Sequence, residues 1–348
     1  MRVRFAPSPT GSLHLGGALT AVVNRRFADE RGGSLVLRID DTDPERVLPG
    51  AEAGILADLA WLGIPWDEGP VRQSERGAVY RAAAEALLAA GAASREADGA
   101  VRATAGGRPT LVRADGRATY SLASVVDDLE LGVTHVIRGK DLQPTTPAQE
   151  AIARALGREP PEFLHHGLLV GQDGRKLSKR ARSSSVAGLR ERGLPAEAVR
   201  AYLEGLGLPR GDVRYDEARL RRHAVEALGA LPAGELAARA GVEARFGPAL
   251  RGAHDLVEAR ALALQIAAPP DPVDVGSPET LLRFRELRGA AAEQLDAEAA
   301  KAIVRELKAV GGDLRALRLA LTGARRGPEL WAVLVALPRA EALRRAGA

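Results

Sequence analysis

At 348 residues the chain is long enough for two domains with sizeable cores, and its net charge of +4 permits a polyanionic partner without demanding one. It has no cysteine, so disulfides and a thiolate metal site are excluded and no zinc is expected. No apolar run approaches the ~18 residues of a membrane span, and a strand expected from residue 2 leaves no room for a leader, so a cytoplasmic protein without a membrane partner is expected.

Arg2 to Ala6 alternates polar and apolar residues and reads as a short strand, and Leu15, Leu19, Val22, Val23 and Phe27 fall at helical spacing on one face. Between them lies "PSPTGSLHLGG", Pro7 to Gly17, a strand-to-helix connection of the kind that binds phosphates in α/β sheets. Pro7 and Pro9 stiffen this loop, while Gly11, Gly16 and Gly17 let a ligand come close to the main chain. Gly11 and Gly16 have the spacing of a P-loop, but Gly17 and Ala18 stand where lysine and a hydroxyl are required. Nor is this the dinucleotide fingerprint G-x-G-x-x-G. A plain loop before a capped helix is the competing local reading.

Further along, "SLVLRID" reads as a strand with Asp40 at its carboxyl end. Only five of the 49 basic residues are lysines, yet Lys176 and Lys179 sit together in "GRKLSKRARSSS". In so arginine-rich a chain, a lysine pair points to a need for a compact ammonium that can sit among phosphate oxygens. A solvated basic loop is the alternative. The C-terminal half reads as helical. "DAEAAKAIVRELKAV" opens on an Asp296 N-cap and places Ile303, Leu307 and Val310 on one face, and Leu314, Leu317 and Leu321 repeat the pattern. "AAPPDP", Ala267 to Pro272, breaks the helices. Arg219, Arg221, Arg222, Arg283, Arg285 and Arg288 are candidate phosphate contacts, most of them expected on a solvated face.

A His-Leu-Gly-Gly turn after the first strand, followed far downstream by Lys-Leu-Ser-Lys-Arg, resembles the paired signatures of class I aminoacyl-tRNA synthetases, and most closely those of the glutamyl-tRNA synthetase family. "LRIDDTDPER", "DGRATYSLASVVDDLELGVTHVIRGKD" and "FLHHGLLVGQDGRKLSKR" fall in the family's order, and Leu317 to Ala346 resembles the end of its anticodon-binding domain. The resemblance implies an α/β fold: a Rossmann-like parallel-sheet catalytic domain with a reduced insertion, followed by an all-α C-terminal domain. The implied division is 1–91 and 120–172 for the two catalytic halves and 92–119 for the reduced acceptor-stem insertion. Residues 173–215 would form the KLSKR loop and stem-contact region, and 216–348 the anticodon-binding domain.

The reaction implied is attack of glutamate's α-carboxylate on the α-phosphorus of ATP, then acyl transfer to the 3′ end of tRNA(Glu), with Mg²⁺ accompanying ATP. By resemblance the catalytic residues are His14, Gly16, Gly17, Lys176 and Lys179, within the motifs Pro7 to Gly17 and Lys176 to Arg180. Pro7, Thr10, Gly11, His14, Gly17 and Lys179 would bind ATP. Arg4 and Arg138 would read the side-chain carboxylate of L-glutamate, Ser8 and Tyr120 would line the pocket, and Asp40 would take the α-ammonium. A monomer is expected.

The sequence departs from the family's usual pattern at three places. Asp40 replaces glutamate, "TYSL" puts Ser121 where "TYNF" is usual, and "RGKDL" puts Lys140 where an acid is expected. The insertion is cut to 92–119, which shows little apolar periodicity and is expected to form a small hairpin around "RPTLVRADGRATY". Two other functions compete. One is a glutamyl-queuosine tRNA(Asp) synthetase, whose chains generally stop soon after the Lys-Leu-Ser-Lys segment and often carry cysteine ligands. The other is a tRNA-independent amino-acid ligase, or a non-catalytic tRNA-binding paralogue.

Overall fold

The computed structural model describes residues 1–175, 177, 184–268, 270 and 275–347. The chain divides into two compact units: Met1–Glu191 with Arg200–Asp216, and Arg192–Val199 with Glu217–Ala348.

In the first unit, β1 (Arg2–Phe5) runs into α1 (Leu15–Asp29), and β2 (Ser34–Ile39), α2 (Ala51–Trp61) and β3 (Glu68–Arg72) follow. β1, β2 and β3 form a parallel sheet in that order, with Arg4 opposite Val36. Parallel strands need helical crossovers, and apolar runs such as Leu35 to Leu37 are buried on both faces as such sheets require. The chain continues through α3 (Gly77–Ala89) into three short strands, β4 (Ala93–Arg95), β5 (Val101–Ala103) and β6 (Thr110–Val112). After α4 (Tyr120–Glu130), β7 (His135–Gly139) packs beside β1. α5 (Thr146–Ala155) then leads to β8 (Glu162–His166), parallel to β7. β9 (Leu169–Val170), α6 (Val186–Glu191) and β10 (Val213–Arg214) complete the series, β10 pairing parallel to β9, while α7 (Ala196–Glu204) gives its first four residues to the second unit and the rest to the first.

The segment 92–119 holds more than the expected hairpin. β4, β5 and β6 form an antiparallel meander, and only the bridge from Val112 to Ala118 corresponds to a hairpin at the quoted stretch. Val101, Ala103, Leu111 and Val112 bury against Tyr80 and Leu87 of α3 and Leu122 of α4. Strands of three residues are too short for a period-two pattern to show in sequence.

Among the described residues the second unit carries helices only: α8 (Glu217–Ala230), α9 (Ala233–Ala240), α10 (Leu256–Ala267), α11 (Pro278–Ala290), α12 (Ala297–Ala309), α13 (Leu314–Thr322), α14 (Leu330–Ala336) and α15 (Arg339–Gly347). Asp296 caps α12 as expected, accepting from the Ala299 N–H at 2.8 Å. Ile303 and Leu307 are buried, but Val310 is 61% exposed. It ends α12 as the C-cap, one residue after the helical face has run out. The break after Ala267 falls where expected; of its prolines, Pro269 and Pro272 lie outside the described residues. Arg288 is not a phosphate contact. It is fully buried and donates to the carbonyls of Ala292 at 2.7 Å and Glu293 at 2.9 Å. Arg221 and Arg283 pair with Glu217 and Glu286 on the surfaces of their own helices. Among the described residues, no helix is long and apolar enough to cross a membrane.

Candidate active site

A cavity of about 390 Å³ opens at the carboxyl ends of β1, β2 and β7 in the first unit, the end of a parallel sheet where ligands bind. Its lining contains Arg4, Pro7, Ser8, Thr10, Gly11, His14, Gly16, Gly17, Asp40, Tyr120 and Arg138. Every described residue that the resemblance named for catalysis, ATP or glutamate therefore lines one cavity; the arginines offered as tRNA phosphate contacts, Arg219 to Arg222 and Arg283 to Arg288, lie in the second unit. Lys176, Lys179 and Arg180 lie outside the described residues; Leu177, between the lysines, is on the lining.

The loop from Pro7 is tied down by its backbone. Asp40 N–H donates to the Pro7 carbonyl and Leu48 N–H to the Pro9 carbonyl, both at 3.0 Å. Gly11 has φ of 139°, a conformation that side-chain-bearing residues rarely adopt. His14 is the N-cap of α1, its Nδ1 accepting from the Gly17 N–H at 3.0 Å. In the neutral ring that bond puts the proton on Nε2. A Cβ at Gly16 would stand 3.1 Å from His14 Nδ1, so glycine there is what lets the ring fold over the first turn. That turn carries no acidic side chain, and the N-terminus of a 15-residue helix favours an anion through its unpaired N–H groups and dipole.

The other part of the lining is a set of buried charges. Arg4 faces the same side of the sheet as Val36, and two residues along β2 places Arg38 there too. α4 presents Asp128 to both: its Oδ1 accepts from Arg4 Nε at 3.3 Å and Arg38 Nη1 at 2.7 Å. Arg38 also grips Asp40, donating from Nε at 2.6 Å and Nη2 at 3.3 Å. Burial opposes the Arg38 charge, but Asp40 and Asp128 outweigh it and hold its pKa well above the ordinary value. Burial pushes the Asp40 carboxyl above the usual range despite Arg38 beside it. Next in α4, Asp127 is fully buried and accepts from Gln73 at 2.8 Å, Arg76 at 2.7 Å and the Tyr80 hydroxyl at 2.9 Å.

Arg138 differs from its neighbours. It is buried on β7, yet among the described residues none of its partners is a carboxylate. Its fork donates to the Tyr120 hydroxyl at 3.1 Å, Thr145 Oγ1 at 3.2 Å, Thr146 Oγ1 at 3.0 Å and His165 Nε2 at 3.3 Å. Burial lowers its pKa, and the Arg4 charge adds to that. His165, lowered by burial and then by Arg138 itself, stays neutral and can accept. Arg4, Arg38 and Arg76 each bond to a carboxylate, of Asp128, Asp40 or Asp127, whereas the hydrogen bonds of Arg138 among the described residues go to neutral groups alone. The five donors of Arg138 suit a planar anion gripped in two places.

Sequence reasoning passed over Arg38, Asp127, Asp128, Thr145, Thr146 and His165. The available signal was the acid pair inside the apolar run "SLASVVDDL", since consecutive buried acids in a helix need cationic partners. Lys140, which stands where an acid was expected, pairs with Asp212 at 2.9 Å.

The family model described as tRNA synthetases class I (E and Q), catalytic domain, matches residues 1–100 and 96–215. A protein named glutamate–tRNA ligase 1 from Rubrobacter xylanophilus is 47% identical over 230 residues, 60% of this chain and 53% of that protein. One named glutamate–tRNA ligase 2 from Acidiphilium cryptum is 37% identical over 439 residues, covering 99% of this chain and 98% of that protein. The match thus spans about half the length of the Rubrobacter relative and nearly all of the Acidiphilium one. Among solved structures, a glutamate tRNA ligase from Elizabethkingia meningosepticum in complex with its amino acid shares the fold, with a TM-score of 0.81 at 23% identity over 100% of this chain and 98% of that one.

Proposed function

Since this chain belongs to the catalytic-domain family of the class I tRNA synthetases for glutamate and glutamine, we propose that it is a glutamate–tRNA ligase, an enzyme that activates L-glutamate with ATP and transfers it to tRNA(Glu). The observation that carries the amino-acid assignment is Arg138, a buried guanidinium with only neutral partners on a cavity shared with the α1 N-terminus. A carboxylate side chain supplies the missing charge and takes the bidentate geometry of the fork. Arg4, already paired with the Asp128 carboxylate that Arg38 shares, adds hydrogen-bond donors to the wall rather than a free charge. Asp40 is in place for an ammonium, with two oxygens that can accept beyond the bonds from Arg38.

The phosphate end is assigned to Pro7, Thr10, Gly11, His14, Gly16 and Gly17, with Lys176 and Lys179 brought by the Lys-Leu-Ser-Lys-Arg segment. These groups act by position and charge, as in other phosphoryl transfers. Mg²⁺ arrives with ATP as part of the substrate. The all-helical second unit is assigned to tRNA recognition, and the protein is placed in the cytoplasm as a monomer.

The test is direct. Purified protein is given radiolabelled glutamate, ATP and total tRNA, and the charged species is identified by hybridisation. Label on tRNA(Glu), with none from glutamine, is expected. Comparable charging by glutamine, or label confined to tRNA(Asp), overturns the reading.

A further inference from the structure

Gln73 follows β3, whose Arg72 pairs in register with Ile39 of β2, so Gln73 and Asp40 leave the sheet side by side at its carboxyl end. The next residue pins this neighbourhood: Ser74 donates to Asp41 from its N–H at 2.8 Å and from its hydroxyl at 2.7 Å. Gln73 is 1% exposed and lines the cavity, as Asp40 does. Its amide nitrogen donates to Asp127 Oδ2 at 2.8 Å. That oxygen stands 3.8 Å from Arg38 Nε, which in turn holds Asp40 Oδ1 at 2.6 Å.

The bond to Asp127 settles which way round the amide sits. A carboxylate only accepts, so the nitrogen faces it and Oε1 is the end left over. Oε1 is buried and, among the described residues, has no donor. A buried carbonyl without a donor costs stability, and an apolar side chain of the same length would avoid that cost. A ligand that brings an N–H to this wall of the cavity recovers it.

The neighbouring acid says which ligand group that is. An ammonium has three donors, and the Asp40 carboxylate beside Gln73 already accepts from Arg38 at both oxygens. A neutral amide oxygen next to it adds an acceptor without adding a further acid to a wall that already buries Asp40, Asp127 and Asp128.

We propose that Gln73 is a binding residue for the α-ammonium of the amino-acid substrate, its Oε1 accepting one N–H while Asp40 supplies the charge. This inference rests on the proposed function and extends its amino-acid end. Gln73 then separates an amino acid from the same acid without its amine.

The test uses two stable sulfamoyl analogues of the acyl-adenylate, one carrying glutamate and one its counterpart without the α-ammonium. Each is titrated as an inhibitor of pyrophosphate exchange with glutamate, ATP and tRNA. Wild type should bind the glutamyl analogue more tightly. Gln73→Met keeps the length and removes the acceptor. It should lose about 10- to 100-fold on the glutamyl analogue, the scale of a hydrogen bond to a charged group, and less than about threefold on the counterpart. Gln73→Glu keeps an oxygen in place and shares a proton with Asp127, so its discrimination should stay within about threefold of wild type. That variant alone decides where Gln73→Met does not fold. Equal losses of Gln73→Met on both analogues would show that the residue only shapes the wall. An unchanged affinity for the glutamyl analogue would show that no ammonium meets it. Either result overturns this inference alone, as does loss of discrimination in Gln73→Glu or its absence in wild type. A wild type that exchanges no pyrophosphate with glutamate overturns the proposed function and this inference with it.

Discussion

In the first unit the buried guanidiniums of Arg4 and Arg38 meet the carboxylates of Asp40 and Asp128, whereas in the second those of Arg288 and Arg345 meet mainly backbone carbonyls where helices end. Arg345 donates to Ile266 and Ala267 at the end of α10 and to Leu321 near the end of α13, with Glu341 as its one acidic partner among the described residues. Arg288 does the same for the carbonyls that follow α11 and α14. Helix C-termini leave unpaired carbonyls and a negative dipole end, so a cation there completes the fold. Burial of an arginine is therefore no sign of function by itself. Arg138 and Arg288 both have pKa values lowered first by burial. What separates them is the partner set: main-chain carbonyls that cannot leave in one case, hydroxyls and an imidazole beside a cavity in the other.

The comparison breaks or sharpens under three substitutions. Arg138→Ala should have the largest effect, a loss of at least about 100-fold in kcat/KM for glutamate activation, because a substrate carboxylate would be buried without its partner, at roughly 3–5 kcal/mol. Steady-state pyrophosphate exchange checks it. A loss below tenfold would mean that Arg138 is as closed a structural group as Arg288. Next comes Arg288→Met, which keeps the volume but strands the carbonyls of Ala292 and Glu293. About 2–3 kcal/mol of stability should go, by the cost of unsatisfied buried polar groups. Urea denaturation measures it, and the KM for glutamate in the folded fraction should not move.

The smallest effect concerns pH. Hydrogen bonds from Arg344 and then Arg345 hold the Glu341 carboxyl at about 2, down from 4.5. A carboxylate whose folded pKa is depressed adds stability above its unfolded value and loses it as pH falls through the folded one. Stability should thus decline between pH 4.5 and about 2 from this group. Because the side chain is 29% exposed and solvent screens the pair, the contribution is about 1 kcal/mol. Glu341→Gln should flatten that part of the acid-melting profile. An unchanged profile would show that Arg345 is held by its carbonyls alone.

Much of the candidate site was legible before any coordinates. Pro7, Gly11, His14, Gly16 and Gly17 lie within eleven consecutive positions, so their juxtaposition needs only a turn between strand and helix. Arg4 and Asp40 could be placed because both sit on or beside short strands with clear apolar patterns. The meander at 93–112 was not legible, since its strands have three residues each. Nor were Val310, where the helical period was right but the helix end decided exposure, and Arg288, offered as a phosphate contact but buried against the carbonyls of Ala292, Glu293 and Leu337.

From the sequence alone came the two signature segments, the α/β-then-helical order and the choice of residue types that can hold a phosphate and a carboxylate. The residue types and the loop follow from side-chain chemistry and backbone restriction at Pro and Gly and the helical C-terminal half from periodicity, whereas the pairing of the signatures and the α/β fold rest on the resemblance to the synthetase family. The tertiary structure alone decided which arginine carries the unbalanced charge. Asp128 lies 124 residues from Arg4 and 90 from Arg38, and only the packing of α4 on the sheet brings its single carboxylate to both. With Asp40, that packing gives Arg4 and Arg38 bonded acids while the hydrogen bonds of Arg138 among the described residues go to neutral groups, because electrostatic balance in a low-dielectric interior depends on distances that no local pattern encodes.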